Sequence, residues 1–338
     1  MNPEVASQPM SMIAFQSSPL SKNLNPQIEE SFVSAFRRIA PAWRTHRCSV
    51  GNARDSILTT KPRLIVGVGS VAFDSVDYSA IWRAAKQVGA VLVYWMLDDP
   101  YEIDFKWKIE GKCDWIFTTD RASVDYYKSA EVSHLPLAAD IITHFRELAP
   151  LPTRLTDVFF CGYAYPNRLA IINGLRELLE VRNTVIRGDG WNERLGFCKN
   201  ERIDTRKIAE HYSSSKLVIN LGREFNIANS RYHISPSTPG PRTFEAAAAG
   251  CVQAYFLDTT EIFDYFDKDE EIKVFSSVTE FSRIMDDICS APEHFEKVAA
   301  AAQTRTKKFH TYDNRAKQLL AVLRGNGLIQ GGSDYSNE

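Results

Sequence analysis

The sequence lacks any hydrophobic run long enough to cross a membrane. A membrane-spanning helix needs about 20 predominantly apolar residues, and no stretch of the chain approaches that length. The first residues, MNPEVASQPM, also lack the charged and then apolar pattern of a secretory signal. We therefore expect a cytoplasmic protein.

Patterns typical of metal sites and disulfides are missing too. The 6 cysteines are widely scattered and form no CxxC pair, and the 7 histidines form neither HxxxH nor HxH. Several cysteines lie inside apolar, strand-like runs, where buried thiols are usual. We expect no metal site and no disulfide framework.

The chain also has little net charge. Its 40 basic and 42 acidic residues leave a formal charge of -2, which argues against wholesale binding to nucleic acid or an anionic membrane, although a local basic groove would not show in a sum. Hydrophobic residues make up 44%, as in ordinary globular proteins. A length of 338 residues is long for one core and comfortable for two domains.

What the first half does contain is an alternation of strand and helix patterns. Residues 63–68 form a continuous apolar run, as expected of a strand covered on both faces of a parallel sheet. By the same criteria, strands are predicted at residues 11–16, 63–68, 91–96, 113–118 and 132–137, and helices at 26–39 and 78–88. The alternation predicts a doubly wound α/β domain.

The second half repeats this alternation after a proline-containing linker at residues 145–154. Strands are predicted at residues 158–161, 185–187, 217–221, 251–257 and 274–276, and helices at 167–179, 205–213 and 241–249. The first three of these strands each end in a polar loop that contains glycine. Such loops form the ligand cleft at one edge of a doubly wound sheet.

The chain is organised around residues 233–258, which read as loop, helix and strand. Pro241 suits the first helical position and Gly250 suits the residue that ends the helix. The free N–H groups of the first turn, together with Arg242, favour an anion, and diphosphate is the natural one. Glu245, one turn on, could accept hydrogen bonds from ribose hydroxyls. The alternative is that Arg242 and Glu245 form an ordinary ion pair on the helix surface.

Paired carboxylates follow the strand at residues 91–96. Asp98 and Asp99 come where ligands lie in open α/β sheets, so either could serve as a general base. The alternative is that one of them caps the turn before Pro100. Gly67 and Gly69 could begin a dinucleotide-binding GxGxxG loop, but the third glycine is absent.

These motifs together resemble a known family. The chain looks like a GT-B glycosyltransferase, closest to the branch called spore-maturation protein CgeB-like or glycosyl transferases group 1. The motifs that carry the resemblance are YWMLDDP at 94–100, CDWIFTTD at 113–120, HLPLAAD at 134–140, SKLVIN at 215–220, PRTFE at 241–245 and FHTY at 309–312.

The resemblance implies two Rossmann-like doubly wound domains that face each other across a cleft. The acceptor domain would span residues 1–148, and the nucleotide-sugar donor domain residues 152–312. A last helix at about 313–338 would pack back on the first domain. Acceptor specificity would lie in loops of the first domain such as 52–61 and 101–112.

The resemblance also implies roles for individual residues. Arg242 would hold diphosphate, Glu245 the ribose and Arg168 further phosphate charge, while Gly162 would let the donor approach the backbone. The whole set predicted to bind nucleotide sugar is Gly162, Tyr163, Arg168, Gly188, Trp191, Asn220, Arg223, Ser237, Thr238, Gly240, Arg242, Thr243 and Glu245. One residue departs from the pattern, because Ser237 stands where many retaining enzymes have a glutamate. The stereochemical outcome therefore stays open.

The function implied is metal-independent transfer of a sugar, of hexosyltransferase type, from a nucleotide-diphosphate sugar. That sugar would be a co-substrate, with no other cofactor, and Asp98 or Asp99 would be the base. The acceptor, whether glycan, small molecule, protein or modified nucleic acid, stays open, as does the oligomeric state. Two alternatives remain: a GT-B nucleotide-sugar epimerase or hydrolase, and a catalytically silent nucleotide-sugar-binding scaffold.

Overall fold

A computed structural model describes residues 10–17, 25–73, 75–128 and 131–329. The chain divides into two compact units. The first contains the chain up to Pro136, the segment Asn226–Ser235 and the chain from Asp313 onwards, and the second contains Leu137–Phe225 and Pro236–Tyr312. The chain thus leaves the second unit after Phe225 and returns to it at Pro236.

The first unit holds a six-stranded parallel sheet of order β2-β1-β3-β4-β5-β6. Its elements in chain order are β1 (Ser11–Gln16), α1 (Asn25–Ile39), β2 (Arg44–Cys48), α2 (Ala53–Thr60), β3 (Leu64–Gly69), α3 (Tyr78–Val88), β4 (Val91–Met96), β5 (Trp115–Thr118) and β6 (Val132–His134). Short 3-10 helices cover Val50–Asn52, Ile103–Lys108 and Arg121–Tyr126.

The second unit holds another six-stranded parallel sheet, of order β12-β11-β10-β7-β8-β9. Its elements begin, after a 3-10 turn at Leu151–Thr153, with β7 (Thr156–Cys161), α4 (Pro166–Gly174), α5 (Arg176–Glu180), β8 (Thr184–Gly188), β9 (Cys198–Asn200), α6 (Ile208–Ser213) and β10 (Ser215–Asn220). They continue with α7 (Pro241–Ala248), β11 (Val252–Phe256), α8 (Ile262–Tyr265), β12 (Lys273–Phe275), α9 (Val278–Ser290) and α10 (Pro292–Phe309), and α11 (Tyr312–Gly325) then leads into the first unit.

Both faces of the first sheet are covered, as its apolar strands predict. Successive residues of a strand point to opposite faces. In β4, Tyr94 packs edge-on against Phe15 and Tyr78, with ring centroids 6.1 and 5.8 Å away. Its neighbour Trp95 packs against Phe32 of α1 at 5.4 Å. All these rings are buried, so β4 lies at the centre of the core.

Each sheet has a point at which its strand order reverses. In the second sheet, β7 is followed by β8 and β9 on one side and paired with β10 on the other. In the first sheet, β1 lies between β2 and β3. In open α/β sheets, ligands bind beyond the carboxyl ends of the strands at this reversal. A ligand site is therefore expected at the loops after β7 and β10 or at those after β1 and β3.

The predicted fold class, α/β with two doubly wound Rossmann-like domains, is confirmed. Two edge strands, β2 and β9, escaped prediction. So did α2, which occupies most of the segment 52–61 that is predicted to be a loop, and so did α9 and α10. The predicted single helix 167–179 is two helices, α4 and α5. Of the predicted last helix, residues 330–338 lie outside the described residues.

Among the residues that the structure describes, no helix is both long enough and apolar enough to cross a membrane.

Candidate functional site

Arg168 ties together the two loops at the reversal point of the second sheet. From the first turn of α4, its Nε donates to the carbonyl of Gly222 at 2.8 Å, and its Nη2 to that of Leu221 at 3.1 Å. Its Nη1 donates to the carbonyl of Tyr163 at 3.1 Å. Tyr163 follows β7 and Leu221 follows β10. The contacts of this predicted phosphate ligand thus set the geometry of the loops.

A pair of predicted glycines packs the ends of β7 and β8 against each other. Gly188 has a φ of +133°, and a Cβ there would lie 2.0 Å from the carbonyl oxygen of Gly162. Only glycine fits both the backbone angle and the space. The same Gly162 oxygen accepts a hydrogen bond from Trp191 Nε1 at 2.9 Å. The two glycines therefore fix where the loop after β7 begins.

Trp191 lies in the hydrophobic core of the second unit. Its ring is buried and packs edge-on against Phe160, with centroids 5.7 Å apart. Its indole N–H donates to the Gly162 carbonyl. The contacts of this predicted ligand residue are therefore structural, and the hydrogen bond to Gly162 connects it to the loop after β7.

Helix α7 begins at the carboxyl edge of the same sheet. Pro241 occupies its first position, and the cap residue Gly240 is exposed and, as a glycine, leaves the first N–H groups without a side-chain cap. The remaining first-turn N–H groups and the helix dipole favour an anion.

A buried network holds the first turn of α7 to β10 and β11. Asn220 Nδ2 donates to Thr243 Oγ1 at 2.8 Å and to Gln253 Oε1 at 3.0 Å. Gln253 Nε2 donates in turn to the Thr243 carbonyl at 3.0 Å. Asn220 and Thr243, both predicted ligands, thus contact each other. Gln253, which was not among the predicted residues, completes the network.

Arg242 and Glu245 form a largely buried pair within α7. Glu245 is only 4% exposed, and its Oε2 lies 3.3 Å from Arg242 Nη1, which also lies 3.4 Å from the Tyr212 hydroxyl. Burial opposes the charge of Arg242, but Tyr212 and Glu245 outweigh it, so the pKa of Arg242 is raised and it stays protonated. The ion pair of the alternative is therefore present, with 26% of the Arg242 side chain exposed, but its carboxylate is buried rather than on the helix surface.

His144 lies beside this pair, and sequence reasoning missed it. Its Nε2 lies 4.0 Å from Glu245 Oε1. Its Nδ1 accepts a hydrogen bond from the backbone N–H of Asp140 at 3.0 Å. No local motif marks His144, because it is brought to α7 only by the fold of the second unit.

The loop that leads into α7 is held to α8. Thr238 Oγ1 donates to Glu261 Oε1 at 2.9 Å, and the same oxygen accepts from the Tyr265 hydroxyl at 2.7 Å. Ser237, next to Thr238, is half-buried. Glu261, also not among the predicted residues, thereby holds the loop that leads into the helix.

Aromatic rings and guanidinium groups stack beside the loops after β7 and β10. Tyr165 lies between Tyr163 and Phe225, with ring centroids 4.9 and 5.5 Å away. The Arg223 guanidinium lies 5.4 Å from the Tyr165 ring and that of Arg168 lies 5.1 Å from it. Tyr163 and Phe225 are 49% and 48% exposed, so the stack presents aromatic surface to solvent.

The two predicted catalytic aspartates lie in the first unit, in different environments. Asp99 is 4% exposed, and its Oδ2 accepts hydrogen bonds from the Thr118 and Tyr127 hydroxyls, each at 2.7 Å. Burial raises the pKa of Asp99 from 3.8 to about 7, although these two hydrogen bonds oppose the rise. Asp98 is half-buried and accepts from Asn25 Nδ2 at 3.4 Å. Asp98 is thus the more accessible of the two.

Further polar side chains surround the reversal point of the first sheet. Ser17, after β1, donates its hydroxyl to the Ser70 carbonyl at 2.8 Å and accepts at its own carbonyl from the Tyr78 hydroxyl at 2.6 Å. Ser70 donates its hydroxyl to the buried carboxylate of Glu102. None of these residues was predicted, because single serines after strands carry no distinctive pattern.

Within the described ranges, no group of three or more histidine, cysteine, aspartate or glutamate side chains is arranged to hold a metal ion.

Comparison with known families gives one match. The family described as Glycosyl transferase-like matches residues 168–321, which is less than half of the chain but includes α7 and the residues around it. No curated protein matches the chain.

Solved structures match nearly the whole chain. HepE of Anabaena, crystallised with UDP and glucose, is 11% identical, with a TM-score of 0.63 over 94% of this chain and 100% of its own. AviGT4, a glycosyltransferase involved in avilamycin A biosynthesis, is 11% identical, with a TM-score of 0.62 over 93% of this chain and 97% of its own. A candidate UDP-N-acetylglucosamine 2-epimerase of Listeria monocytogenes is also 11% identical, with a TM-score of 0.58 over 97% of this chain and 100% of its own.

At such identities the likeness concerns the fold alone. The predicted GT-B fold, with two Rossmann-like domains, is confirmed. The finer assignment to the CgeB-like branch stays a prediction.

Proposed function

We propose that this protein is a glycosyltransferase that takes its sugar from a nucleotide-diphosphate donor bound by the second unit. The observation that carries the proposal is the start of α7, where an exposed cap residue, a protonated arginine and a buried carboxylate stand at the carboxyl edge of a Rossmann sheet. The family match over this same region supports it.

Diphosphate would bind at the first turn of α7 and to Arg242. The helix dipole and the N–H groups there attract negative charge. The Arg242 guanidinium adds a charge-assisted contact. Its present contacts are long, at 3.3 and 3.4 Å, and a phosphate would replace the partners that Arg242 gives up when it turns. The same charges would stabilise the leaving nucleoside diphosphate without a metal or another cofactor.

Glu245 would bind the ribose. An ionised carboxylate accepts hydrogen bonds and has about four acceptor positions. Its burial excludes competing water, which strengthens any hydrogen bond from a ligand hydroxyl. UDP is the nucleotide to test first, because HepE was crystallised with UDP and with UDP-glucose.

Asp98 is the better candidate for the general base. A base must reach the acceptor hydroxyl, and Asp98 is half-buried, whereas Asp99 is buried and already accepts two hydrogen bonds. Asp99 would then shape the site rather than take the proton. The acceptor would bind in the first unit.

The test is the affinity for UDP and for 2′-deoxy-UDP, measured by calorimetry in wild type and Glu245→Gln. The amide keeps the shape but offers a donor where an acceptor is needed, so we expect UDP affinity to fall about tenfold or more. The variant should also lose any preference for the intact ribose. Glu177→Gln, on the exposed face of α5, is the matched control. A variant that discriminates as wild type does would remove Glu245 from the site.

Turnover separates this proposal from an epimerase, the second candidate, which the Listeria neighbour favours. Incubation with UDP-sugars and candidate acceptors, followed by NMR, should show transfer of the sugar to an acceptor or slow release of UDP. An epimerised sugar still attached to UDP would favour the second candidate. Tight binding without turnover over many acceptors would favour a silent scaffold.

A further inference from the structure

The His144 imidazole is a buried donor of fixed tautomer. Its side chain is only 7% exposed. Because Nδ1 accepts the backbone N–H of Asp140, the proton of the neutral ring is on Nε2. The backbone N–H of His144 in turn donates to the Asp140 carbonyl at 2.8 Å. The Asp140 side chain accepts from the N–H groups of Ile142 and Thr143 at 2.9 and 3.4 Å. This turn holds the ring in place.

The Nε2 atom of this ring has no hydrogen-bond partner among the described residues. A buried N–H without an acceptor is costly, so such an atom calls for an explanation. It faces Oε1 of Glu245 at 4.0 Å, which exceeds a hydrogen-bond distance by about 1 Å. The other oxygen of the same carboxylate lies 3.3 Å from Arg242. The carboxylate therefore stands between two donors and is bound closely by neither.

We propose that His144 is a positioning residue that holds the Glu245 carboxylate towards the ribose when the nucleotide binds. This inference rests on the function proposed above. Once Arg242 turns to the diphosphate, Glu245 loses its charged partner, and a small rotation of its side chain brings Oε1 within reach of the His144 Nε2–H. One acceptor position is then fixed by the protein, and the others point to the ribose hydroxyls.

The neutral form of the His144 ring is the one that suits this role. Protonation would place a second N–H against the Asp140 amide and break that hydrogen bond. A neutral donor orients the carboxylate without cancelling its charge, so Glu245 remains a strong acceptor for the ribose.

The first experiment compares affinities for UDP and 2′-deoxy-UDP in wild type, His144→Phe and His144→Gln. Phenylalanine keeps the ring but has no donor, so we expect the preference for UDP to fall about tenfold. The Gln side-chain amide can place an N–H where Nε2–H was, so His144→Gln should keep most of the preference. His294→Phe, at an exposed position of α10, is the control. An unchanged preference in folded His144→Phe would overturn the inference.

A second measurement uses the wild-type protein and needs no stable variant. In ¹⁵N-labelled histidine, the His144 ring should show the Nε2–H tautomer, and its Nε2 proton should shift on addition of UDP. The shift should be absent in Glu245→Ala, which has no acceptor at this position, when the variant is saturated with UDP. An Nδ1–H tautomer, or a ring signal that UDP leaves unchanged, would also overturn the inference.

These outcomes differ from a failure of the proposed function. If wild type binds no UDP, or binds it without preference for the ribose, then the donor site itself is wrong. If wild type and Glu245→Gln behave as expected while His144→Phe discriminates normally, only the role of His144 is wrong.

Discussion

Asp99 should make the first unit less stable as the pH rises from about 4 to about 7. Burial raises the pKa of this carboxyl from 3.8 to about 7. Between these values the folded state holds a proton that the unfolded chain has lost, so the free energy of unfolding falls as the pH increases. The stabilisation is fully present below pH 3.8 and is lost as the pH passes through about 7.

The magnitude follows from the same shift. A change from 3.8 to about 7 corresponds to about 4 kcal/mol over the whole range, at about 1.4 kcal/mol per pKa unit. Between pH 5 and pH 8 the expected loss is about 2–3 kcal/mol. Asp99→Asn cannot titrate, and its carbonyl oxygen can still accept from Thr118 and Tyr127. The free energy of unfolding of wild type should therefore fall by about 2–3 kcal/mol relative to that of the variant between pH 5 and pH 8.

Hydrogen exchange of peptides from β4 and β5, followed in increasing urea at pH 5 and pH 8, measures this difference in the first unit alone. Rates are corrected for the intrinsic effect of pH on exchange. Asp55→Asn is the control, because the Asp55 side chain is 77% exposed on α2. The reasoning would be refuted if the difference in unfolding free energy between wild type and Asp99→Asn were the same at both pH values. It would also be refuted if wild type became the more stable of the two as the pH rises.

Three further predictions concern the second unit and the reaction. Arg242→Ala should lower UDP affinity about ten- to a hundredfold by calorimetry, and unchanged affinity in a folded variant would remove the diphosphate assignment. Gly188→Ala should destabilise the protein by at least about 2 kcal/mol in thermal unfolding, because its Cβ would meet a backbone oxygen at 2.0 Å. A change in stability close to zero would mean that the backbone at Gly162 can move away from the new Cβ at little energetic cost. Turnover should persist in EDTA, whereas loss that Mg²⁺ or Mn²⁺ restores would show a metal at Asp98 and Asp99.

The central strands could be predicted from sequence because burial on both faces leaves a continuous apolar run, as in β3 and β4. The edge strands could not. β2 has the sequence RTHRC and β9 the sequence CKN, and both are strands because of the neighbour to which they pair. Their residues say little about that neighbour, since pairing depends on the whole sheet.

The start of α7 could also be predicted, because its signals are local. Pro241, Arg242 and Glu245 lie within one turn and a half of helix, where type and spacing imply geometry. His144 could not be found in this way. It approaches Glu245 only after the segment that follows Leu137 has folded into the second unit, and nothing in its own neighbourhood indicates that partner.

The two arginines at the edge of the second sheet show why residue type alone does not assign a role. Both were predicted to contact phosphate, and both lie near the carboxyl ends of strands. The guanidinium of Arg168 donates to three carbonyls at 2.8–3.1 Å, and these contacts hold two loops in register. That of Arg242 has a hydroxyl and a carboxylate at 3.4 and 3.3 Å, which are weaker contacts. An arriving diphosphate can therefore recruit Arg242 at less cost than Arg168, and moving Arg168 would disturb the loops that shape the site.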